Sequence, residues 1–246
     1  MNEYDPQNRH YSQSQAWQSG ERPAGFGPQT AAEATVSERL GFIRKVYALF
    51  FVGILFAIGG VVIGFNTPSL MIAIARHPWI TLIALIAGVI GAQAVRHMPG
   101  INVAAFFAFT TFTGVVISPL LYYVSATNPA SILQAGVLTV GIFGGLTAYV
   151  FVSKKDFSFM RGMLWVGLIV IVLGGFLNML IVGSTGLGFA LAAGALILFS
   201  GFVLYDTSNI IRRYPTNEYI AGAMDLYLDA FNIFLALIRI LNSGRR

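Results

Sequence analysis

The chain has no cysteine, only three histidines and few charges, with 15 Lys and Arg against 10 Asp and Glu in 246 residues. Without cysteine there can be no disulfide, no thiolate nucleophile and no cysteine-ligated metal. His10, His77 and His97 are too scattered for a zinc site, and no HExxH is present. With 10% charged and 56% hydrophobic residues and a mean hydropathy of +0.73, the chain is too apolar for a soluble domain of this length. Its net charge of +5 gathers at the ends of apolar runs, where it sets orientation, and makes no case for nucleic acid. A regular polar–apolar alternation is missing too, which argues against a β-barrel.

What is present is a series of apolar runs of about 20 residues, the length a helix needs to cross a bilayer. The expected fold is therefore an all-α membrane protein, with the lipid bilayer as its first partner. The spans are expected at Val46 to Phe65, Pro78 to Val95, Val103 to Val124, Ile132 to Val152, Met163 to Val182, Leu187 to Tyr205 and Tyr219 to Leu241. Pro119 interrupts the third and is expected to kink it. Gly60 with Gly64, and Gly141 with Gly145, match the GxxxG spacing that lets helices approach closely, and are read as packing devices.

Residues 1–38 are of different material, rich in Gln, Ser, Gly, Pro and charge, and are expected to be a disordered tail ahead of a transmembrane domain over 39–246. They lack the apolar region and cleavage site of a secretory signal, so the tail is expected to stay cytoplasmic. With the N-terminus inside, Arg39, Arg44, Lys45, Arg96, Lys154, Lys155, Arg161, Arg212 and Arg213 all fall on the inner side, and Arg76 falls outside. That is a positive-inside pattern for six crossings; Arg245 and Arg246 fall outside if the seventh run crosses fully, which leaves a re-entrant or cytoplasmic ending open.

The functional suspects are acids. Asp206 closes the sixth apolar run, and Asp225 and Asp229 lie inside the seventh. An ionised group at bilayer depth costs several kcal/mol, so it normally faces a bundle interior or a water-filled cavity. Residues three, four and seven apart share a helix face, which puts Asp225, Asp229 and Asn232 on one stripe and Asp206, Asn209 and Arg213 on another. The short turn between these helices makes them antiparallel neighbours, so the stripes can meet. Two such carboxyls in a low dielectric tend to hold one proton between them, which makes them a pH sensor, and their oxygens suit a hard cation such as calcium. The spacing equally allows a buried ion pair between Asp229 and Arg239 or Arg96.

YDTSNII at 205–211, LYLDAFNIFLALIRIL at 226–241 and TFTGVVISPLLYYV at 111–124 together resemble the Bax inhibitor-1 family, in its bacterial branch, over about residues 36–246. The resemblance implies seven helices, six wrapped around the last, and a pH-sensitive calcium leak. It places the family's aspartate pair on Asp206 and Asp229, which a permeant calcium ion would touch in passing, and its gating base on Arg96. Asp225 departs from the family pattern as a third carboxylate. No resident cofactor is implied, and the bacterial plasma membrane is the expected location.

Rival readings differ in what they require. An intramembrane aspartyl protease needs a GxGD sequence at its second acid, whereas Asp229 follows Leu226-Tyr227-Leu228, so an enzyme is not expected. A proton-coupled transporter would need a substrate site that the sequence does not display. The remaining alternative is a non-catalytic regulator in a stress response, docking a membrane protease or another partner, which the same resemblance allows.

Overall fold

The computed structural model describes residues 29–98 and 100–243; residues 1–28, most of the expected tail, lie outside them. Eight α-helices run α1 Val36–Phe65, α2 Pro68–Arg76, α3 Pro78–Ala94, α4 Ile101–Thr127, α5 Ala130–Ser153, α6 Arg161–Leu177, α7 Thr185–Arg212 and α8 Tyr219–Ser243. A 3₁₀ turn, Ser158–Met160, precedes α6, and a π-helical turn, Asn178–Val182, follows it.

Local chemistry sets the helix ends. Helix α1 begins with a capping box: Thr35 Oγ1 accepts from the Glu38 N–H at 3.3 Å, and the Glu38 carboxylate accepts from the Thr35 N–H at 3.0 Å. It therefore starts ten residues before the expected span. The expected tail is shortened to match, since residues 29–38 are built into the fold. Pro68 and Pro78 each open a helix, where their missing N–H costs nothing, and α2 and α3 meet at an angle of 97°. Helix α4 continues through Pro119 to Thr127. Lys154, at φ 51°, stops α5 in a left-handed turn.

Among the described residues five helical segments are long and apolar enough to cross a membrane, and the bent pair α2–α3 makes a sixth if its two arms count as one span. Helix α8 is not among them, yet thirteen of its 25 residues are buried, against one of 17 in α6. It is the core around which the others stand. At about 1.5 Å per residue it is some 37 Å long, enough for a hydrocarbon layer of about 30 Å. The expected all-α membrane fold is borne out. The expected ring of six around the last helix is uneven, because α1, α4, α5 and α7 touch α8 while α6 packs chiefly on α7 and the bent pair on α4.

Helices α1 and α4 form the tightest seam. A Cβ at Gly60 would come within 2.0 Å of the Thr111 carbonyl oxygen, one at Gly64 within 2.0 Å of Ser118 Oγ, and one at Gly114 within 1.9 Å of the Ala57 carbonyl. The first GxxxG pair is thus a packing device. Gly141 and Gly145 have no neighbour within 4 Å of where a Cβ would stand. Helix α8 is tied down beyond its apolar face: at its C-terminal end Asn242 accepts from the Asn128 amide at 3.2 Å and donates to Ser131 Oγ at 3.0 Å.

An acidic cluster between α7 and α8 as candidate functional site

Helix α7 does not end near Asp206 but runs two turns further, to Arg212, so that Asp206 lies inside the bundle. The chain then turns through residues 213–218 and returns as α8, antiparallel and in close contact with α7. This hairpin brings the two stripes together. Asp206 is 9% exposed and Asp229 3%, and their carboxyls lie within hydrogen-bonding reach of each other. Apart from that neighbour, Asp229 Oδ2 is buried with no hydrogen-bond donor to it among the described residues.

Asp225, one turn earlier on α8, is partly buried and close enough to interact electrostatically with both acids. Its own hydrogen bond comes from the Tyr214 hydroxyl. Burial and the Asp225 carboxylate push the Tyr214 hydroxyl up from its ordinary range, so it remains a donor. Arg96 and Glu218 also act on Asp225. The Arg96 Nε donates to His97 Nε2 at 3.0 Å, and among the described residues Arg96 forms no ion pair with any of the three acids, so its influence on Asp225 is electrostatic.

Two further residues read from the stripes are placed differently. Arg213 stands at the C-terminal end of α7, where its guanidinium donates to Asp156 at 2.6 Å and to Ser158 Oγ at 2.8 Å, so it serves the α5–α6 connection and not the acids. Asn232 donates to the Leu228 carbonyl of its own helix at 2.8 Å. Arg239 forms no ion pair with Asp229 among the described residues. Among those residues, too, there is no group of three or more His, Asp or Glu side chains that could hold a metal ion.

An open cavity of about 360 Å³ adjoins the cluster, lined by Ser158, Arg161, Tyr205, Asn209, Arg213, Tyr214, Pro215 and Glu218. It shares Tyr214 with the Asp225 contact, and Asn209 lies one turn along α7 from Asp206. Tyr214 is the functional residue that the stripes did not reveal. It sits in the turn, outside either helical period, and only the hairpin's closure brings it to Asp225.

The family model described as "Inhibitor of apoptosis-promoting Bax1" matches residues 39–246. An uncharacterized protein of Helicobacter pylori is 34% identical over 206 residues, covering 83% of this chain and 87% of the relative. Bax inhibitor 1 of Schizosaccharomyces pombe is 32% identical over 217 residues, covering 85% and 79%. Protein lifeguard 4 of Mus musculus is 30% identical over 215 residues, covering 86% and 89%. An all-α membrane chain that meets this model along its whole bundle, acidic hairpin included, belongs to the Bax inhibitor-1 family.

Proposed function

We propose that this chain is a non-catalytic, pH-sensitive calcium leak gated by Asp206 and Asp229. The observation that carries the reading is the burial of the two carboxyls side by side between α7 and the central α8. Two adjacent carboxyls share a proton more readily than they bear two charges. While the proton is held between them it links α8 to α7; once it is lost, two like charges face each other and present oxygens to a cation. Asp225 on the same helix, with Tyr214, Arg96 and Glu218 around it, sets the field in which the pair titrates. Calcium is the ion of choice because the donors are all hard oxygen. In this reading residues 29–38 and the α7–α8 turn lie on the cytoplasmic side of a bacterial plasma membrane, an orientation supported by the basic residues at the helix ends.

The test is calcium entry into liposomes holding the purified protein, measured from about pH 5 to about pH 8. Entry that varies with pH in the native chain, and loses that variation in Asp206→Asn with Asp229→Asn, is the expected result. Entry no greater than into empty liposomes at every pH would overturn the leak and leave a regulator that docks a membrane protease or stress-response partner.

A further inference from the structure

Residues 29–34 cross the α7–α8 turn as a short antiparallel strap. The Ala31 N–H donates to the Tyr214 carbonyl at 2.9 Å, the Ala32 N–H to the Arg212 carbonyl at 3.3 Å, and the Thr216 N–H to the Gln29 carbonyl at 3.0 Å. Thr30 and Pro215 stand directly opposite each other at the centre of this pairing. Ala31 is wholly buried and joins the hydrophobic core, so the strap is seated as well as hydrogen-bonded. Its far side is closed by a turn, in which the Glu33 and Ala34 N–H groups donate to the Thr30 carbonyl, and the α1 capping box follows at once. The strap therefore has a fixed register and a fixed exit.

What it grips is the backbone of the residue whose side chain reaches the acids. Tyr214 accepts from Ala31 through its carbonyl and donates to Asp225 through its hydroxyl. Tyr214 and Pro215 also line the cavity beside the cluster. A segment with 28 residues of chain ahead of it thus holds the one turn that covers the acids from that end. Residues 29–34 precede α1 and belong to no helix, so the strap can be pulled away from the turn without unfolding one.

We propose that residues 29–34 are an autoinhibitory strap: seated, they keep Tyr214 on Asp225 and the hairpin closed at that end, and their release frees the turn and raises the leak. This rests on the leak reading above. The strap does not depend on any one partner of residues 1–28; whatever draws on that segment would pull directly on the Ala31 contact.

The absence of native cysteine makes the test clean. Thr30 and Pro215 are an opposed pair not hydrogen-bonded to each other, the arrangement in which Cα atoms stand about 4.5 Å apart, within the range a disulfide spans. Thr30→Cys with Pro215→Cys should therefore cross-link on oxidation and lock the strap. Hydrogen exchange of the 212–218 amides and calcium entry into liposomes are then read on the same protein, oxidised and reduced. Reduction is expected to speed exchange by about fivefold or more, in line with the loss of backbone hydrogen bonds, and to raise calcium entry. Ala31→Pro, which deletes the N–H bonded to Tyr214, should do both without any cross-link.

Equal exchange in the oxidised and reduced forms, or a pair that does not cross-link, would overturn the strap whatever the flux. Faster exchange with an unchanged, measurable flux would overturn its inhibitory role. Faster exchange with no flux in any form would uphold the strap's hold on the turn while overturning the leak itself, so the two readings fail separately.

Discussion

Arg213 donates to Asp156 at 2.6 Å, tying the last turn of α7 to the connection between α5 and α6. The Ser158 N–H and the Arg213 guanidinium together hold the Asp156 carboxyl below its ordinary value of 3.8. The sign follows from linkage: a depressed carboxylate adds stability above its unfolded value, and that contribution is lost as pH falls through the folded value. Both side chains are largely exposed, so the pair is worth no more than about 1 kcal/mol. A carboxyl-carbon NMR titration should find the Asp156 midpoint below 3.8, and a midpoint at or above it would contradict the contact.

Tyr214→Phe removes the hydroxyl that Asp225 accepts from and leaves a partly buried carboxylate short of a donor. The expected cost is about 1–3 kcal/mol of thermal stability in detergent. The pH at which calcium entry changes should shift as well, because the field around Asp206 and Asp229 includes Asp225. An unchanged pH profile would show that Asp225 lies outside the sensing group.

The seam between α1 and α4 has no room for a side chain. Gly114→Val, meeting the Ala57 carbonyl at the point where even a methyl comes within 1.9 Å, should destabilise by about 3 kcal/mol or more or prevent folding. Gly141→Ala and Gly145→Ala face open space and should be neutral, or stabilising by up to about 1 kcal/mol through helix propensity. Thermal unfolding of the three variants side by side checks this, and equal effects would contradict the seam.

Asn242→Ala deletes the amide that joins the end of α8 to Asn128 and Ser131. Loss of these two bonds is expected to cost about 1–3 kcal/mol and to raise hydrogen exchange in the last two turns of α8. Exchange spread evenly along α8 would mean that the helix is held by its apolar face alone.

Much of this was legible in the chain itself. Apolar runs and the near absence of charge dictated an all-α membrane protein, because in a bilayer every backbone polar group must be paired within its own segment. The period of the helix placed Asp225 and Asp229 on one stripe and Asp206 on the facing one, and the short turn implied that the stripes would meet. Helix ends were less legible. Thr35 with Glu38 carries α1 ten residues beyond its apolar run, and α7 continues past Asp206 because the polar residues Thr207, Ser208 and Asn209 are buried within the bundle.

Composition and period act along the chain, over a few turns at a time, and that is as far as the sequence by itself determined the protein: its solvent, its helices and the faces they offer. Contacts between distant segments depend on how those helices pack. Only the tertiary structure decided that Arg213 turns to Asp156, that Arg96 acts electrostatically on Asp225, that Tyr214 reaches into the cluster, and that residues 29–34 lie across the turn that carries it. Each of these relates residues in different segments, and such a relation leaves no periodic trace in either of them.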